Sequence, residues 1–172
     1  MIINLLNFIY LMIFFLNKLI LFIKITCYMK IGITFSCFDL FHAGHIKMLE
    51  EAKSQCEFLI VGFQIDPTID RPEKNKPVQS VVERIIQIRS CKFIDDIVPY
   101  VTEQDLLDIL SSFKIDVRII GEEYKKIDFT GKKYCKKKGI KIYYNKREHR
   151  FSSSGLRKQV FNAEKKLVNE SK

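Results

Sequence analysis

Residues 30–52 read KIGITFSCFDLFHAGHIKMLEEA, and this stretch decides the fold. Lys30 to Phe35 is short, apolar and β-prone, as a buried strand is, and from about Gly44 to Ser54 the residues Ile46, Leu49 and Ala52 recur at helical spacing. A strand running through one loop into a helix is the opening of a βαβ unit. The same alternation continues outward from it. Phe58 to Ile65 is a continuously apolar second strand, and the proline-rich 66–77 stretch is a loop. Ser80 and Glu83 form a capping box that starts a helix expected to bury Val82, Ile85 and Ile86. A third strand lies around 94–100, and Thr102 caps a helix burying Leu106, Leu107 and Leu110. Ile115 to Ile120 is strand four, ending at Gly121, and 130–138 is a short helix stopped by Gly139. Ile140 to Tyr144 is strand five, and Ser152 to Ser154 cap a last helix with Leu156, Val160, Ala163 and Leu167 on one face. The expected fold is therefore α/β, a Rossmann-like five-stranded parallel sheet flanked by helices.

Composition agrees with one catalytic or binding domain spanning 29–172. With 47% hydrophobic and 28% charged residues in 172, the chain is neither disordered nor fibrous. Its 29 basic against 20 acidic side chains give a formal charge of +9, which suits an anionic ligand. The five cysteines are odd in number and lack CxxC spacing, so no disulfide framework or zinc knuckle is expected and a reducing cytoplasm is the simplest setting.

Residues 1–28 stand apart. Leu5 to Ile23 is almost wholly apolar, broken by Asn7, Asn17 and Lys18, and is long enough to cross a bilayer. Yet Met1 to Ile25 uses only residue types encoded by A/T-rich codons, and Met29 opens the first strand, which favours an over-extended start over an anchor. Membrane tethering is expected only if this segment is a real anchor.

In open α/β sheets ligands bind at the carboxyl ends of strands, and the unusual polar residues here follow strands. His42 and His45 flank Gly44 at the opening turn of the first helix, where imidazoles, backbone N–H groups and the helix dipole can meet phosphate oxygens. Asp39, His42 and His45 are spaced three apart, but no cysteine or further histidine lies near them in sequence, so anion contact fits better than metal ligation. Arg147 to Ser154, REHRFSSS, offers a second phosphate clamp. The lysine-rich run 132–138 lacks interleaved aromatics and reads as a solvated helix face, so no nucleic-acid partner is expected.

The His42-Ala-Gly-His45 element, the surrounding Phe38 to Leu49, the strand-four end Gly121 to Tyr124 and the terminal Phe151 to Ser154 together resemble the cytidylyltransferase-like nucleotidyltransferases, glycerol-3-phosphate cytidylyltransferases among them. The likeness runs from about Lys30 to Val160. It implies transfer of a nucleotidyl group from CTP, or ATP, to a small phosphorylated polyol or alcohol, with pyrophosphate released and Mg²⁺ carried on the triphosphate. His42 and His45 would be the catalytic pair. Nucleotide binding would fall to Phe38, Asp39, Gly44, Gly121, Glu122, Arg147, Ser152 and Ser153, with Asp116 also near the base. Lys74, Lys76 and Arg84 would contact the acceptor, with surface charge an equal alternative for the two lysines; Lys47 reads as a solvated surface charge. The rivals are an adenylyltransferase of the heptose-phosphate or FAD-synthesis type and a non-catalytic nucleotide-binding module; a homodimer stays open. Two departures mark the chain: Ser36 and Cys37 stand where the family usually has glycine and threonine, and Arg147 to Ser152 replaces RTEGIS.

The motif lies at the carboxyl end of the first strand and residues 1–28 join its amino end. A chain beginning at Met29 should therefore match the full-length protein in solubility and specific activity. Expressing both and comparing activity per mole checks this, and a less active or insoluble short form would place 1–28 within the folded domain.

Overall fold

The computed structural model describes residues 29–146 and 151–170, together with Met12, Leu16 and Lys18. Five strands form one sheet: β1 (Ile31–Ser36), β2 (Phe58–Gln64), β3 (Asp96–Tyr100), β4 (Val117–Gly121) and β5 (Lys141–Asn145). Their order is β3-β2-β1-β4-β5 and every pair is parallel. The chain steps outward from β1 to β3, then returns to lay β4 on the other flank of β1. That reversal opens a crevice at the carboxyl ends of β1 and β4.

Helices α1 (Ala43–Lys53), α2 (Val81–Arg89), α3 (Glu103–Ser112), α4 (Lys132–Lys138) and α5 (Ser153–Glu170) complete the domain, with a 3₁₀ turn at Glu122–Lys125. Side-chain alternation along the strands divides the core in two. Leu59, Val61, Phe63, Val117 and Ile119 pack with Leu49, Ala52 and Ile88 of α1 and α2. Ile33 and Ile60 pack on the opposite face with Leu106, Ile109, Leu110 and Cys135 of α3 and α4. The capping boxes at Ser80/Glu83 and Thr102/Asp105 start α2 and α3, and Gly139, at φ +71°, ends α4 in the left-handed conformation that favours glycine.

Several expected core positions are outside. Val82 and Ile86 are 66% and 61% exposed, because α2 turns Arg84 and Ile88 inward with Val81 and Ile85 beside them. Ile46 on α1, and Val160 and Leu167 on α5, are exposed as well. Residues 1–28, apart from the three named, lie outside the described set, and so does the anchor reading; among the described residues no helix is long and apolar enough to cross a membrane. The four described cysteines are free.

Arg84, expected to contact the acceptor, is 1% exposed and sits in the core. Its Nη1 donates to the carbonyls of Cys37 (2.9 Å) and Gln64 (3.0 Å), Nη2 to Ile65 (2.7 Å) and Nε to Gln79 (3.2 Å). The guanidinium also lies 4.8 Å above the Phe63 ring. One side chain thus collects the carbonyls that end β1 and β2 and precede α2. Arg84→Met, which keeps the stem, should strand these carbonyls and lower unfolding stability by about 3–5 kcal/mol. Urea denaturation measures it, with Val82→Lys on the exposed face as a near-neutral comparison.

Candidate active site

The loop from β1 to α1 is held in an unusual shape. Phe38 and Leu40 have φ of +52° and +50°, a region that costs non-glycine residues of the order of 1–3 kcal/mol each. The surroundings over-determine it. Phe38 is fully buried, and the Leu40 N–H donates to Gln79 Oε1 at 2.8 Å. Between them Asp39, 7% exposed, accepts at Oδ1 from the N–H groups of Val78 (3.0 Å) and Gln79 (2.9 Å). Its Oδ2 pairs with Arg157 of α5. Asp39 therefore organises the loop through three donors.

The two histidines build the start of α1. His42 is the N-cap: its Nδ1 accepts from the Gly44 N–H at 3.0 Å, while His45 Nδ1 accepts from the His42 N–H at 3.4 Å. A capping box usually made by a hydroxyl and a carboxylate is here made by two imidazoles. Because each Nδ1 is an acceptor, each neutral ring carries its proton on Nε2. His42 Nε2 meets Ser153 Oγ at 3.2 Å, and that hydroxyl donates to the Asp39 carbonyl at 3.2 Å. The rings stack at 4.1 Å between centroids, with Phe41 stacked on His45 at 5.5 Å. Burial, with the neighbouring His42 second, pulls the His45 pKa down from 6.5 to about 3. His45 is a neutral N–H donor across the physiological range.

Opposite α1 stands the N-terminus of α5. Ser152 caps it, accepting from the Gly155 N–H at 3.0 Å, and Ser153 reaches His42. Two helix N-termini thus open on one cavity of about 810 Å³ at the carboxyl ends of the strands. Among the expected site residues, Phe38, Asp39, Gly44 and Gly121 line this cavity together with His42 and His45. Ser152, Ser153 and Lys74 line it too. Glu122 and Lys76 do not; Glu123 takes the place expected of Glu122. Arg147 lies outside the described residues. Asp116 belongs to the other end of the sheet, where its Oδ2 accepts from the Ile31 N–H at 2.8 Å. Lys47 pairs with Glu50 at 2.9 Å on an exposed helix face.

Sequence reasoning missed Arg157, which carries the Asp39 pair from the second turn of α5, and Arg118, a buried cavity-lining arginine on β4. Arg118 was hidden because a charged residue inside an apolar strand reads as an interruption. Among the described residues no three His, Cys, Asp or Glu side chains converge as a metal site. Chemically, the cavity can hold a polyanion by N–H and O–H donors and helix dipoles, with neutral imidazoles aimed where charge would collect.

The sequence matches the cytidylyltransferase-like family over residues 33–159. It is 30% identical to glycerol-3-phosphate cytidylyltransferase of Bacillus spizizenii, over 77% of this chain and 98% of that enzyme. It is 36% identical to the bifunctional protein HldE of Caulobacter sp. (strain K31) over 97 residues, which are 56% of this chain and 20% of that protein. The chain thus spans about a fifth of the HldE relatives it matches. In fold it is similar to the lipopolysaccharide core biosynthesis protein of Thermoplasma volcanium, with a TM-score of 0.57, 24% identity, and 70% of this chain and 99% of that one covered.

His45 gives stability a pH dependence of fixed sign. Between about 3 and 6.5 the unfolded chain holds a proton on this ring that the folded chain does not, so stability is complete above 6.5 and falls as pH drops toward 3. From pH 7 to 5 the loss should be of the order of 1–2 kcal/mol. His45→Asn, which keeps an acceptor for the His42 N–H, should remove most of that difference in urea titrations at the two pH values. An unchanged difference would assign it to other groups.

Proposed function

The chain belongs to the cytidylyltransferase-like family, and from that premise we propose that it transfers CMP from CTP to the phosphate of a small polyol or alcohol phosphate. The observation that carries the reading is the imidazole pair at the N-terminus of α1, facing the serine-capped N-terminus of α5 across one cavity. An acceptor phosphate oxygen attacks the α-phosphorus of CTP, the bond to the β-phosphate oxygen breaks, and pyrophosphate leaves with the bonding pair. The nucleophile is already an anion, so no general base is needed. Nε2–H of His42 and of His45 donate to the phosphate oxygens on which charge builds, and Ser152, Ser153 and the α5 N-terminus hold the triphosphate. His42 reaches the phosphate by exchanging its Ser153 hydroxyl partner for a phosphate oxygen. Mg²⁺, in this reading, would enter on the triphosphate and would offset the charge that builds on its phosphates.

The near full-length likeness to a glycerol-3-phosphate cytidylyltransferase supports CTP. The likeness to HldE, higher in identity over a shorter span, supports a second reading with ATP and a heptose phosphate. Pyrophosphate release measured with CTP and ATP against a panel of phosphorylated alcohols separates them: CTP should be turned over faster, and a preference for ATP would move the chain to the second reading. In the same assay His42→Asn and His45→Asn should each lower kcat about 100-fold or more, with a smaller change in nucleotide KM. An unchanged kcat would remove that histidine from the reaction.

A further inference from the structure

Helix α5 carries an apolar stripe along a part of its length where its own domain gives it nothing to pack on. Leu156, Val160, Ala163 and Leu167 follow one another at intervals of four, three and four residues, which puts all four on one side of the helix. Leu156 is half-buried, but every residue from Lys158 to Asn169 is exposed, with Val160 at 55%, Phe161 at 65% and Leu167 at 60%. The family match ends at residue 159, so these turns lie beyond the part the chain shares with its relatives. Packing of an apolar face, more than intrinsic propensity, supports a helix of this length. The stripe therefore calls for a surface to cover it.

Its position around the helix says which surface. Ser153 and Arg157 dock the start of α5 through His42 and Asp39. At about 100° per residue, Arg157, Phe161 and Glu164 follow one another down this docking side, and the stripe runs beside it. Two copies with their stripes laid together antiparallel set Leu156 against the partner's Leu167, and Val160 against the partner's Ala163. On the docking side the same register sets Glu164 beside the partner's Arg157, twice by symmetry. On the far side it sets Gln159 beside the partner's Lys166, so no like charges meet. A parallel pair would set Glu164 beside the partner's Gln159 and form no ion pair. Charge complementarity thus selects the antiparallel arrangement. In it, the second half of each α5 lies along the start of the other, and its docking side, with Phe161, faces the partner's domain.

We propose that the chain forms a two-fold dimer through antiparallel α5 helices, in which each copy brings Glu164 to the partner's Arg157. Arg157 lines the catalytic cavity, so each copy adds a carboxylate to the rim of the other's site. The size of the contact sets its strength. A helix of 18 residues is ~27 Å long and ~10 Å across, so one face offers roughly 300 Å², against about 800 Å² per partner in a stable complex. Even with the domain flank added, the dimer belongs to the weak, reversible class.

Sedimentation velocity of the full chain from about 1 to 200 μM tests this, and should show a monomer–dimer equilibrium with Kd on the order of 10 μM. Leu167→Glu, at an exposed position where the fold of the monomer is not at stake, should raise Kd more than about tenfold. Glu164→Lys, which sets like charges at both Arg157 contacts, should raise it about tenfold. Lys165→Glu, on the opposite side of the helix, should leave it within about twofold. Orientation is read by disulfide cross-linking of two mixed variants, Val160→Cys and Ala163→Cys. The antiparallel register joins the two variants to each other above the wild-type background, whereas a parallel one joins each to itself. A chain that stays monomeric over this range, a dimer indifferent to Leu167→Glu or to Glu164→Lys, or variants that link only to themselves overturns the proposal. Binding to vesicles of phosphatidylglycerol and phosphatidylcholine in place of dimerisation, abolished by Leu167→Glu, would give the stripe to a lipid surface and overturn it as well.

Discussion

Everything at the carboxyl edge of the sheet depends on a buried guanidinium whose oxygen partners are main-chain carbonyls. Strands β1 and β2 end inside the protein, where their last carbonyls have no neighbouring strand to satisfy them. Arg84 reaches from α2 and takes those of Cys37, Gln64 and Ile65, together with that of Gln79 before its own helix. A lysine could not, since three donors on a point charge do not span carbonyls from separate segments as a planar fork does. By pinning Cys37 and Gln79, Arg84 also sets the two segments that Asp39 joins.

Asp39 works on the same problem with the opposite charge. It gathers the N–H groups of Val78 and Gln79 and the guanidinium of Arg157, while its carbonyl accepts from Ser153. The strained Phe38 and Leu40 conformations persist because both flanks are held. Ser153 then links α5 to His42, so the placement of the catalytic candidates is tied to the docking of the last helix. Most of α5 beyond this contact is exposed, which leaves its first two turns to fix it.

The expected helices and strands recur in the structure because periodicity and capping are local signals. Ser80/Glu83 and Thr102 mark helix starts whose geometry is set within four residues. The histidine pair was legible for a similar reason: its spacing is that of a capped helix N-terminus, which is set within a few residues. What stayed hidden was long-range. Arg84 and Arg118 are counted as surface charges by any reading that sorts residues by polarity, and only the sheet brings their partners together. Asp116, inside the expected strand four, precedes the observed strand and secures the amino end of β1, because a strand presents its two ends to opposite edges of the sheet. Glu122 and Glu123 differ by one position, and the 3₁₀ turn that chooses between them has no sequence cap to announce it.

The cavity is therefore unequal in how its polar groups are held. On the α1–α5 side they are paired with one another, His42 with Ser153, and Asp39 with Val78, Gln79 and Arg157. On the β2–β4 side Arg71 Nη2 joins Gln64 to Glu103 and Arg118 Nη1 donates to the Thr130 carbonyl, while Gln64 Nε2 and the Nε atoms of Arg71 and Arg118 have no hydrogen-bond partner. A group that reaches those donors recovers the cost of burying them, whereas one that meets the α1–α5 side must first displace a partner already in place.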